Sequence, residues 1–116
     1  MDHIVLNVSD GERSLTWYRD RLGLEVLRAD AWREGKVPFV SLRVSDTCII
    51  DLFEIERTGE NVNHVALWVE GDVGEILAHD DVEIAREPKR LFGAQGHGPS
   101  VSVYDPDRNM IELKSY

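Results

Sequence analysis

Two stretches of this chain occur twice in one register. Asp2-His3-Ile4-Val5-Leu6-Asn7-Val8 returns as Asn63-His64-Val65-Ala66-Leu67-Trp68-Val69, and Ile49-Ile50-Asp51-Leu52 returns as Met110-Ile111-Glu112-Leu113, both at the offset that carries His3 onto His64. A repeat that keeps both of its ends in step means two copies of one supersecondary unit, each filling about half of the chain. Each copy opens on an apolar segment carrying a histidine and closes on an apolar segment carrying an acid. That doubled His and carboxylate pattern points to a metal site.

The chain has 116 residues, of which 42% are hydrophobic, enough for the core of one globular domain. Charged residues make up 30% and are spread along the sequence, with 9 Gly and 4 Pro, so no low-complexity arm is expected. No apolar run approaches the roughly 18 residues of a membrane span, and the N-terminus has no basic signal segment. The expectation is a soluble, cytoplasmic protein. Cys48 is the only cysteine and reads as a small buried hydrophobe, which excludes an intrachain disulfide. A formal charge of −9 lacks the positive footprint that nucleic acids and anionic membranes require, leaving a small molecule as the expected partner.

Period-two alternation through Ile4, Leu6 and Val8 predicts a strand. Ser9 to Glu12 reads as a capping box, Leu15, Tyr18 and Leu22 share a helical face, and Gly23 is placed to end that helix. Further strands are predicted over Leu24 to Arg28, Val37 to Val44 and Cys48 to Ile55. Glu56 to Val62 is a polar connector, after which the order restarts. Asp72 and Glu75 cap a shorter helix, and strands follow at Val82 to Arg86, Pro99 to Tyr104 and Met110 to Ser115. Each half is therefore βαβββ.

Alternation also sorts side chains by face. Ile4, Leu6, Ile50, Leu52, Val65, Leu67, Ile111 and Leu113 fall on the face expected to pack under the helices. His3, Val5, Asn7, Asp51, Phe53, His64, Ala66, Trp68, Met110 and Glu112 fall on the other, which gathers all four polar repeat residues.

These words, together with Arg13-Ser14-Leu15-Thr16-Trp17-Tyr18-Arg19-Asp20-Arg21-Leu22-Gly23-Leu24 and Asp105-Pro106-Asp107-Arg108-Asn109 before the last strand, resemble the vicinal oxygen chelate superfamily. That superfamily includes glyoxalase I, extradiol dioxygenases, fosfomycin-modifying enzymes and bleomycin-resistance proteins. The resemblance covers essentially the whole chain and implies an α+β fold: one domain of residues 1–116, with module 1 about 1–57 and module 2 about 62–116. The modules would form curved mixed sheets around a central cavity with the helices outside. It also implies a metal held by the first and last strands of each module, here His3, Asp51, His64 and Glu112, with Glu112 assigned the catalytic role as well. Glyoxalase I proteins usually have Glu where Asp51 stands, so the shorter side chain is expected to reach a metal less well. Arg108 stands in place of the usual turn glycine, at a cost of about 1 kcal/mol or less if that position needs a positive φ.

Two imidazoles and two carboxylates suit a divalent ion such as Ni, Co, Mn, Fe or Zn, leaving two adjacent octahedral positions for vicinal oxygens of a substrate. An ene-diolate, hydroxy-carbonyl or catecholate would have its charge stabilised there. If Asp51 does not coordinate, His3, His64 and Glu112 form the two-His-one-carboxylate set of non-haem Fe(II) oxygenases. Asp51 thus divides isomerase or lyase chemistry from dioxygenase chemistry. The other reading is a metal-free small-molecule binder of the bleomycin-resistance type, which has no reason to keep four polar ligands on an apolar face. Phe53 and Trp68 are placed to line a substrate pocket. His97, in the Gly-rich segment Gly93 to Gly98, is a candidate gate or acid-base group in a loop. Arg86, Lys89 and Arg90 form a basic cluster that reads as a solvated face or as the holder of an anionic substrate end. A homodimer is expected, with the ligands drawn either from two chains or from one.

Overall fold

A computed structural model describes every residue except Met1 and Ala94. The chain divides into two compact units, Met1–Asn61 and Val62–Tyr116. In the first, strand β1 (His3–Val8) leads into helix α1 (Gly11–Leu22) and strand β2 (Glu25–Leu27). A short helix α2 (Ala29–Arg33) follows, then strands β3 (Val40–Ser45) and β4 (Cys48–Glu54). In the second, β5 (Val65–Trp68), α3 (Val73–Leu77), β6 (Glu83–Gly93), β7 (Gly96–Tyr104) and β8 (Met110–Lys114) follow in order. The sheets run β1-β4-β3-β2 and β5-β8-β7-β6. In each, the first strand lies parallel to the last, and the remaining pairs are antiparallel. The fold is α+β, built of two βαβββ-type modules of the vicinal oxygen chelate kind.

Parallel pairing of the first and last strands is what turns the sequence repeat into a structural one. His3 lies opposite Ile49 and Val5 opposite Asp51; Val65 lies opposite Ile111 and Ala66 opposite Glu112, which is the same register in both modules. The core face of module 1 buries Leu6, Val8, Val40, Leu42, Ile50 and Leu52 together with Leu15 and Tyr18 of α1. Each such side chain removed from water contributes about 1.5–3 kcal/mol. Trp17 meets Tyr18 edge to face at 5.1 Å and is buried too. In module 2 the core face is Val65, Leu67, Val101, Val103, Ile111 and Leu113. Val73 and Leu77 of α3 line a recess of about 260 Å³ with Val101 and Leu113.

Several local expectations change. The N-cap of α1 is Asp10, whose carboxylate accepts from the Arg13 amide at 3.0 Å. Ser9 instead accepts from the Arg13 guanidinium, and Glu12 reaches across to Arg33. The capping box fails because a better short acceptor sits one residue later. Helix α2 lies in the segment left between the predicted second and third strands. Five residues give no periodicity to read, and its N-cap is Arg28 at φ 63°. Gly23 ends α1 at φ 69°, as its placement suggested, and Arg108 adopts φ 67°.

The Gly93 to Gly98 segment is largely strand. Phe92 pairs with His97 and Leu91 with Gly98, so β6 and β7 extend well past their predicted ends. Gly98 is there for close approach, since a Cβ at this position would lie 2.0 Å from the Ser115 carbonyl oxygen. Ala94, within that segment, lies outside the described residues.

Candidate metal and substrate site

In module 2, His64 stands just before β5 and Glu112 in the middle of β8, on one face of the sheet. The Asn63 side-chain oxygen lies 2.7 Å from His64 Nδ1. A carbonyl oxygen can only accept, so Nδ1 donates, and Nε2 carries a lone pair when the ring is neutral. That Nε2 is 3.4 Å from Oε2 of Glu112. The other Glu112 oxygen accepts from the Ser100 hydroxyl at 2.6 Å. With Glu112 only 8% exposed, the Ser100 hydrogen bond replaces part of its lost hydration.

Module 1 repeats the first half of this arrangement and alters the second. The Asp2 carboxylate lies 2.7 Å from His3 Nδ1, which again leaves Nε2 as the free nitrogen. Asp51, 3% exposed, accepts from the Ser41 hydroxyl at 2.5 Å. Ser41 in turn accepts from Nη2 of Arg28 at 2.8 Å, and the same nitrogen is 3.8 Å from the Asp51 carboxylate. The Arg28 guanidinium lies over the Phe39 ring at 4.8 Å. Among the described residues, no ion pair joins His3 to Asp51.

These donors suit a divalent ion in module 2. Ligand atoms about 2.0–2.2 Å from a metal stand roughly 3.0 Å apart at a right angle and roughly 3.4 Å apart at a tetrahedral angle, and the His64–Glu112 separation falls in that range. Holding Nδ1 with a neighbouring oxygen is also how metal-binding imidazoles are oriented. Among the described residues, no group of three or more His, Cys, Asp or Glu side chains gathers around a common point.

Of the other sequence candidates, Phe53 is half-buried on the face of Asp51, and Trp68, 61% exposed, lies on the face of Glu112. His97 is an exposed residue of β7 that packs edge-on against Phe92 at 5.5 Å, and its carbonyl accepts from Arg90. Alternation along β7 places it with Val101 and Val103 rather than with Ser100 and Ser102. Arg86 and Lys89 of the basic cluster line a cleft of about 560 Å³ with Ser100 and Ser102.

Sequence reasoning missed the hydroxyls and Arg28. Ser41 lies directly across from Asp51 and Ser102 directly across from Glu112, so the repeat offset extends to these two serines, whereas the hydroxyl that bonds Glu112 belongs to Ser100, two residues away. The same offset relates Asp2 to Asn63. Arg28 has no such signal, because its role depends on a left-handed backbone and on a helix that the pattern does not show.

Comparison with known proteins agrees with this fold. The profile of the Glyoxalase/Bleomycin resistance protein/Dioxygenase superfamily matches residues 1–113, and the chain belongs to that superfamily. It is 30% identical over 96% of its length to a probable lactoylglutathione lyase of Synechocystis, covering 91% of that protein. Among solved structures, a glyoxalase/dioxygenase from Nostoc punctiforme superposes with a TM-score of 0.75 at 25% identity, covering 98% of this chain and 88% of the other. A virulence protein from Salmonella typhimurium shares the fold with a TM-score of 0.76 at 23% identity, covering 100% and 95% of the two chains.

Proposed function

We propose that this protein is a metal-dependent enzyme of the glyoxalase/dioxygenase type, acting on a small substrate that chelates a divalent ion through vicinal oxygens. The ion would be Ni, Co, Mn, Fe or Zn, held by His3, His64 and Glu112, with Asp51 at the fourth repeat position. The observation that carries this reading is the His64–Glu112 pair: an imidazole oriented by Asn63, with its Nε2 3.4 Å from a carboxylate oxygen. In the neutral ring Nε2 and that oxygen are both acceptors, and a proton or a metal cation between them removes their repulsion. Membership of the superfamily supports the reaction type, and the Synechocystis relative supports lyase chemistry on a thiol-conjugated substrate.

A bound divalent ion supplies Lewis-acid stabilisation of charge developing on the substrate oxygens. The chain's own residues do the rest. Ser100 holds one oxygen of Glu112, leaving the other for the reacting centre as ligand and as proton acceptor. Phe53 and Trp68 offer apolar surface on the ligand-bearing faces. His97 has less support as a substrate contact, since alternation sets it on the opposite face of its sheet. We place the protein in the cytoplasm as a homodimer; no helix among the described residues is long and apolar enough to cross a membrane.

The test is turnover of a glutathione hemithioacetal and of a catechol by chelator-stripped protein before and after addition of each metal. Activity restored by a divalent ion supports the proposal. Equal activity in stripped and loaded protein, or binding of such compounds with no turnover under any metal, contradicts it.

A further inference from the structure

Asp51 takes the repeat position of Glu112, yet its neighbours differ in kind. Each accepts from a serine hydroxyl; beyond that, Glu112 faces an imidazole nitrogen and Asp51 a guanidinium. A carboxylate with a fixed positive charge 3.8 Å away is a poor seat for a second cation. Arg28 is itself closely held. Its backbone sits at φ 63°, where residues other than glycine rarely go, and its side chain is stacked on Phe39 and tethered through Ser41. Backbone strain of this sort persists where the surroundings over-determine it, often at ligand clamps. Among the described residues the guanidinium, with five N–H donors, makes one side-chain hydrogen bond, to Ser41, and the side chain is 42% exposed on the face that carries His3 and Asp51.

We propose that Asp51 is not a metal ligand but, with Ser41, the positioning group that aims Arg28 at an anionic end of the substrate, such as a carboxylate. This rests on the metal-centred reading above and narrows it. The substrate is then a vicinal-oxygen chelator that also bears a negative charge. A planar guanidinium suits such a group because it donates two parallel hydrogen bonds.

The experiment uses Mn(II), then catechol and 3,4-dihydroxybenzoate as anaerobic probes that differ by one carboxylate, in calorimetric titrations of the full chain. Asp51→Asn binds Mn(II) within about threefold of wild type, whereas Glu112→Gln weakens it by about 30-fold or more. Loaded wild type prefers the carboxylate-bearing probe by about tenfold. Arg28→Ala abolishes that preference while leaving catechol affinity nearly unchanged, Arg28→Lys keeps part of it, and Ser41→Ala and Asp51→Asn reduce it. Lys89→Ala leaves it intact. Loss of Mn(II) from Asp51→Asn to the extent seen in Glu112→Gln would make Asp51 a ligand and overturn the proposal with the metal reading standing. A preference that survives Arg28→Ala, or that Lys89→Ala abolishes instead, also overturns it. Wild-type protein that takes up no Mn(II) fails at the earlier step and removes the metal reading itself. Arg28→Gln, checked by thermal melting, serves if Arg28→Ala does not fold.

Discussion

Ser100 donates to Glu112 at 2.6 Å from two residues along the neighbouring strand, although Ser102 is the residue directly across the ladder from that carboxylate. The diagonal bond fixes one oxygen of Glu112 and leaves the other toward His64. Ser100→Ala should therefore weaken binding of a divalent ion by about tenfold, within the range found when a group supporting a metal ligand is removed. It should also lower stability by about 1–2 kcal/mol, because a buried carboxylate loses a donor. Titration calorimetry and denaturant melts on the same variant check both, and unchanged metal affinity would show that Ser100 does not orient the ligand.

Gly98 should not tolerate a side chain. A methyl group there meets the Ser115 carbonyl oxygen at 2.0 Å, and backbone cannot step aside as a flexible side chain can. Gly98→Ala is expected to cost about 1–3 kcal/mol as overpacking and to loosen the β6–β7 hairpin, seen as faster amide exchange in Leu91 and Phe92. A melt that overlays wild type would mean that the glycine serves flexibility instead.

Glu12 and Arg33 join α1 to α2, and the hydrogen bond from that guanidinium holds the Glu12 carboxyl below its ordinary value of 4.5. A depressed folded value stabilises the fold at pH above the unfolded value, and that contribution is lost as pH falls through the folded one. Both side chains are about half exposed, so screening keeps the effect to about 0.5 kcal/mol. Glu12→Gln should melt slightly below wild type at pH 7, with the gap closing as the pH falls through the lowered folded value. A gap that persists or widens in acid would contradict the assignment.

Much of the fold was legible because the β1–β4 and β5–β8 ladders keep one register, which the repeated words encode directly. Both His and acid pairs fell on the non-core face by alternation alone. The hidden features depend on contacts that no local pattern carries. Ser41 and Ser100 act through cross-strand neighbours, Arg28 through a left-handed backbone position, and Gly98 through the backbone of Ser115. Glycines read as a loop in sequence become strand where another backbone passes too close for any side chain.

Assembly is testable by complementation. If His3 of one chain and Glu112 of another serve the same ion, then mixing His3→Ala with Glu112→Ala chains regenerates one intact site per mixed dimer. Metal binding should return to about half of the heterodimer's sites on subunit exchange. No recovery, with exchange demonstrated and the dimer stable, would draw all ligands from a single chain.

We propose that the repeated His and carboxylate positions hold a metal. Elemental analysis of protein purified without an affinity tag tests it most directly, on wild type beside His64→Ala and Glu112→Ala. The account predicts about one divalent ion per chain in wild type and loss of most of it in both variants, since each lacks a ligand. Full occupancy in both variants, or a wild-type protein that takes up no divalent ion when one is supplied, would contradict it.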